Sequence, residues 1–155
     1  MSFAAFQVRA RLYPTQQDTM DRLCHEAFGA AHNKWDASGS AHLSDREKYI
    51  LAVETFYGEV TNGGLVQYLY NESGAFAEWS IDAFIAIGIP EYAEVMREVK
   101  RLFPDGVIPE DQVQRQKVAS GIDESILEQI ENAFWTRYNA HKTEIRTKLY
   151  AFIKG

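Results

Sequence analysis

Between Tyr49 and Val60 the apolar residues Tyr49, Ile50, Val53, Phe56, Tyr57 and Val60 recur three and four positions apart, and Asn62-Gly63-Gly64 then interrupts the stripe. Spacing of three and four puts side chains on one face of an α-helix, whereas a strand alternates at two. Two adjacent glycines relieve the cost of positive φ and destabilise a continuous helix, so the helix is expected to break there. The same period runs through most of the chain. Thr15, behind Pro14, reads as an N-cap for Met20, Leu23, Cys24, Ala27, Phe28, Ala31 and Trp35. Ser44-Asp45-Arg46-Glu47 has the form of a capping box. Leu65 to Tyr70 predicts a short helix stopped by Asn71-Glu72-Ser73-Gly74, and Phe76, Trp79, Ala83, Phe84 and Ile87 predict another stopped by Gly88.

Pro90 suits the first turn of the next helix, whose inner face carries Tyr92, Val95, Met96, Val99, Leu102 and Phe103. Pro104-Asp105-Gly106 reads as a turn, and Pro109 as the opening of a short helix to about Ser120. A final helical region bears Ile126, Leu127, Ile130, Phe134, Tyr138, Ile145, Leu149 and Phe152. Only Phe6, Val8, Ala10 and Leu12 alternate with polar residues, as a short strand or an extended arm would. The expected fold is all-α: a single compact domain over residues 1–155, of six to eight helices, several of them short.

With 13% aromatic and 46% apolar residues the chain carries more bulk than a disordered one. No apolar run approaches the roughly 20 residues of a membrane helix, and the start lacks a basic segment ahead of a hydrophobic core. Cys24 is the single cysteine, which excludes an internal disulfide. These features lead to an expectation of a cytoplasmic protein without a membrane partner.

The net charge of −6 is unevenly placed. Residues 45–98 carry ten acids against three bases, and from Tyr49 to Met96 there are seven acids and no Lys or Arg. Phosphate contacts need Lys and Arg, so direct nucleic-acid binding by that stretch is not expected. A basic protein surface is its natural complement. Glu72, Glu78, Asp82, Glu91 and Glu94 sit at polar positions of the helical pattern and are the candidate partner-binding face. Residues 132–155 carry five bases and one acid, so the chain is dipolar.

No arrangement for catalysis is evident. Asp21, His25 and His32 lie near one helix face, yet no Glu-x-x-His or His-Glu-x-x-His occurs. Cys24 sits among Met20, Ala27 and Phe28 as a small core residue would. Neither a Gly-x-Ser-x-Gly elbow nor a phosphate-binding lysine loop is present. Glu54 and Glu59 are five apart and diverge on a helix, while Glu124, Glu128 and Glu131 read as a solvated face. No enzyme activity, metal or cofactor is expected.

The run from Glu59 to Gly74 is more distinctive than its composition. Its acidic residue, Asn-Gly-Gly, Gln-Tyr, Asn and Gly, standing at Glu59, Asn62, Gly63, Gly64, Gln67, Tyr68, Asn71 and Gly74, resemble the signature of the DNA-mimic-protein-nineteen-like domain family. The resemblance spans about residues 44–153. Physically, the motif reads first as a structural corner: Asn62 capping a short helix, the glycines allowing two helices to approach closely, Gln67 and Asn71 bonding each other or a loop, and Tyr68 packing with its hydroxyl on a polar partner. The resemblance implies a bacterial, non-enzymatic, acidic binding protein, with a homodimer as its family arrangement, whose carboxylates imitate DNA phosphates on a DNA-binding protein. Two alternatives stand beside it: an immunity or antitoxin-like protein neutralising a nuclease, and a small-molecule enzyme or sensor built on the motif.

Overall fold

The computed structural model describes residues 15–155, in which seven α-helices and three short 3₁₀ segments follow one another without a strand. The strand or arm expected at Phe6 to Leu12 lies outside the described residues. Helix α1 spans Gln16–Ser38. It opens on a reciprocal cap: the Thr15 hydroxyl accepts from the Asp18 N–H at 3.1 Å, and the Thr15 N–H donates to Asp18 Oδ2 at 2.9 Å. Helix α2, Asp45–Tyr70, opens the same way, Ser44 pairing with Glu47 in both directions. Both boxes satisfy N–H groups that a helix leaves without internal partners.

Helix α2 breaks at Gly64, whose backbone (φ 78°, ψ −175°) only glycine adopts at little cost. A 3₁₀ segment, Glu72–Trp79, leads into α3 at Ser80–Ala86. Gly88 then turns the chain at φ 87°, and α4 runs Pro90–Arg101 with proline in its first turn. After the Pro104–Gly106 turn come α5 (Gln112–Ala119), α6 (Glu124–Ala140) and α7 (Glu144–Lys154). Three boundaries differ from expectation. The helix read through Phe76 and Trp79 is 3₁₀ from Glu72 to Trp79 and α-helical only from Ser80. Helix α5 starts at Gln112, not Pro109, because Asp111 is its cap and accepts from the Gln114 N–H at 2.8 Å. The final helical region is two helices, since the chain turns at His141–Thr143.

Helix α2 is the axis of the fold and touches α1, the 72–79 segment, α3, α5, α6 and α7. Its residues from Ile50 to Phe56 are all buried, so the helix is enclosed on every side instead of burying one stripe. The Phe56 ring sits at its centre, edge-on to Tyr68, Phe84 and Phe134 at centroid distances of 5.7, 4.9 and 5.4 Å. Such pairs add about 0.5–1.5 kcal/mol each beyond their buried area. Cys24 is fully buried in the same core.

Burying α2 all round carries Glu54 inside, where it meets Arg146 of α7. Arg146 Nε also bonds Asp21 Oδ1 of α1 at 2.9 Å, and its guanidinium lies over the Tyr57 ring. Burial draws the Arg146 pKa down, but the bond and field of Glu54 outweigh it and the net shift is upward. One cation thus ties three helices together. No described helix is long and apolar enough to cross a membrane.

Candidate functional site

The motif residues converge on one carboxylate. Glu59, half-buried on α2, accepts from Gln67 Nε2 at 2.7 Å, Asn71 Nδ2 at 2.9 Å and the Ser73 hydroxyl at 2.6 Å. Gln67 and Asn71 therefore meet through Glu59 and not directly. Asn62 does not cap the restarted helix; its amide lies 3.5 Å from Gln67 Oε1. That capping falls to Glu131 of α6, whose carboxylate accepts the Leu65 N–H at 2.5 Å and the Trp135 indole N–H at 3.2 Å. Glu131 is accordingly not on a solvated face.

Of the two adjacent glycines only Gly64 has positive φ, and a Cβ there would stand 2.4 Å from Glu131 Oε1. At Gly63 a Cβ would meet the end of Gln67 at 1.9 Å, so that glycine makes room for the amide that serves Glu59. Gly74 is hemmed in by the Tyr68 carbonyl at 2.4 Å and Arg115 Nε at 2.6 Å. Tyr68 is fully buried, and its hydroxyl has no hydrogen-bond partner among the described residues, contrary to expectation. Burial pushes that phenol well above its ordinary range.

Arg115 of α5 is the support behind this corner. It is fully buried and bonds four main-chain carbonyls: Leu69 and Asn71 at 2.8 and 2.6 Å, and Pro109 and Glu110 at 2.9 and 2.8 Å. Gln112 and Gln116, one turn apart on the same helix, both donate to the Tyr70 carbonyl. Helix α5 therefore satisfies the carbonyls that α2 leaves open at its C-terminus, where the helix dipole also favours a cation.

Glu59, Asn71, Glu72 and Ser73 form one wall of a cleft of about 350 Å³, and Phe28, His32, Trp35 and Phe76 form the other, with Thr55 also lining it. Phe28, His32 and Trp35 recur at helical spacing on α1, and their rings contact in sequence at 5.5 Å. Phe76 closes the set edge-on to Trp35 at 4.9 Å. The Trp35 indole N–H lies 3.4 Å from Glu110, and His32 Nδ1 is 3.2 Å from Asp36. Among the described residues no cluster of His, Cys, Asp and Glu is arranged to hold a metal. The α1 aromatics, read from sequence as a helix's apolar face, were not recognisable as a cleft wall; His32 in their stripe was the available signal.

A profile of the DMP19-like protein family matches residues 41–155. The chain belongs to that family. No curated protein and no solved structure matches it.

In this DMP19-like chain the acids of residues 45–98 divide into two groups. Five are in ion pairs: Glu47 with Lys34, Glu54 with Arg146, Glu78 with Lys100, Glu91 with Arg137, and Glu94 with Arg97. Helices α1, α6 and α7 thus supply bases that the acidic stretch itself lacks. Glu78 is held further, its second oxygen accepting the Ile108 N–H at 2.9 Å. Arg137 is shared, bonding Glu144 as well and drawing that carboxyl below its usual range. Asp45, Glu59, Glu72, Asp82 and Glu98 form no ion pair with any described residue. Of the candidate face, then, Glu72 and Asp82 are exposed and unpaired, while Glu78, Glu91 and Glu94 each hold a base.

Proposed function

We propose that this DMP19-like chain is a non-enzymatic interaction protein that binds a basic protein surface, in the manner of a DNA mimic on a DNA-binding protein. The supporting observation is the set of carboxylates that folding leaves unpaired, of which Asp45, Glu72, Asp82 and Glu98 are exposed. Asp45 and Asp82 act on the same surface residue: burial first, then both carboxylates, push the Tyr49 phenol upward. Unpaired exposed charge of one sign steers an oppositely charged partner and speeds encounter. Family membership over residues 41–155 favours the same reading.

Two charge-matched variants test it. Glu72→Lys with Asp82→Lys removes two unpaired acids of the face; Glu124→Lys with Glu128→Lys makes the same change of charge on exposed α6 positions. The first pair is expected to abolish capture of a basic DNA-binding protein from the native host, and the second to leave it intact. Wild-type capture is expected to weaken as salt rises and to compete with DNA for the captured protein. Equal capture by both variants, or a captured protein that binds DNA and this chain together, would defeat the proposal.

A further inference from the structure

We infer that the cleft between α1 and the Glu59 corner receives a guanidinium group, the side chain of an arginine on the partner's basic surface. This inference rests on the proposed binding of a basic surface and names the site at which that surface is read. Glu59 accepts three hydrogen bonds, all from neutral donors, and no Lys or Arg among the described residues neutralises it. A carboxylate offers about four lone-pair positions, so one remains along with the whole charge. Glu72 adds a second unpaired carboxylate to the same wall.

The opposite wall is suited to the same group. Phe28, His32 and Trp35 present partly exposed ring surface, with the buried Phe76 packed behind them, and a planar delocalised cation stacks on such faces while forking onto carboxylates. Four cationic side chains of the described chain lie over aromatic rings, those of Phe152, Trp79, Tyr57 and Tyr150. None of these rings belongs to the cleft. Among the described residues, neither Glu59 and Glu72 nor the cleft's rings have a cationic partner. The volume of about 350 Å³ lies at the small end of ligand sites, matching a single long side chain better than a nucleotide-sized cofactor. An ammonium, compact and strongly hydrated, uses the ring faces less well than a guanidinium.

The test titrates the whole chain with Nα-acetyl-arginine N-methylamide, following the Trp35 indole N–H resonance. The citrulline and lysine counterparts serve as the uncharged isostere and the point cation. The arginine probe is expected to bind in the millimolar range with a shift at Trp35, the lysine probe several-fold more weakly and the citrulline probe not measurably. Glu59→Gln is expected to weaken the arginine probe by about tenfold. Glu72→Gln, on an exposed segment, is expected to weaken it by about two- to threefold without touching the Glu59 network. If Glu59→Gln fails to fold, the Glu72 variant and the Trp35 signal decide the matter.

Equal binding of the arginine and citrulline probes, equal binding of arginine and lysine, or a saturating shift that leaves Trp35 unmoved would each overturn the inference. An affinity unchanged in the folded carboxylate variants would do the same. The outcomes separate from those of the wider proposal. A partner still captured in a salt-sensitive way while the probe fails removes the cleft and keeps the acidic face; a probe that binds while both charge reversals leave capture unchanged does the opposite.

Discussion

Glu131 and Leu65, 66 residues apart in sequence, are joined by a hydrogen bond from the Leu65 N–H to the Glu131 carboxylate. The carboxylate stands at the start of the helical segment that resumes after Gly64, where N–H groups lack internal acceptors and the dipole favours an anion. Glu131→Ala is expected to cost about 1–3 kcal/mol, since the buried donor of Leu65 is left without an acceptor. Glu131→Gln keeps an acceptor oxygen and loses only the charge, for about 0.5–1 kcal/mol. Urea unfolding of both against wild type checks the order, and coincident midpoints would remove the capping role.

The two glycines of the motif are expected to differ. Gly64→Ala forces a side chain onto a backbone that excludes it and drives a Cβ against the very oxygen that receives Leu65. The loss should be about 1–3 kcal/mol from the backbone alone, or about 3 °C of Tm per kcal/mol in a domain of this size. Gly63→Ala has ordinary φ, and although its Cβ displaces the Gln67 amide and crowds Gln67 Cβ at 2.9 Å, it carries no backbone strain, so its Tm should fall less. Thermal melts giving the reverse order would contradict the geometry.

Tyr68 and Tyr92 are fully buried, and neither hydroxyl has a hydrogen-bond partner among the described residues. Burial raises both phenol pKa values in the fold, whereas an unfolded tyrosine ionises near pH 10. The folded state therefore holds these protons more tightly. Their contribution is complete below about pH 10 and declines as pH rises from there toward the folded values. Tyr92→Phe removes both the unmade hydrogen bond and the titration. Its stability at neutral pH should equal or exceed that of wild type, and the gap should widen toward about pH 11. Parallel losses of stability in the two proteins on raising the pH would sink this account.

Much of the local chemistry, where partners lie within a turn or two, was readable in the sequence, although the Asp111 cap and the place of Asn62 were not. The Ser44–Glu47 box, the break at Gly64, Pro90 at a helix start and the family motif itself all belong to that class. Long-range partners were not readable. Nothing near Glu131 indicates that it serves Leu65 rather than solvent, and its i, i+3 and i+7 spacing with Glu128 and Glu124 points the other way. Arg115 likewise sits in a short polar helix that reads as surface, although it is fully buried. The enclosure of α2 was hidden for a related reason: Glu54 looks like an outward-facing residue until Arg146, 92 residues away, is found opposite it. The unbroken acidity of Tyr49 to Met96 gave no hint that Lys100, Arg137 and Arg146 would come to meet it.

The four carbonyl bonds of Arg115 make the wall of the cleft and helix α5 a single opening unit. A helix of eight residues does not persist undocked; the Tyr70 carbonyl is held by Gln112 and Gln116 of α5, and the Asn71 carbonyl by Arg115 of α5 as well as by the Gly74 N–H. Amide hydrogens of residues 72–74 should therefore exchange in step with those of α5, as one cooperative unit below the stability of the α2 core. Receptivity of the cleft then becomes a population. A substitution on the outer side of α5, remote from Glu59 and Trp35, would lower the apparent affinity of anything that enters by the fraction of molecules in which the wall is seated.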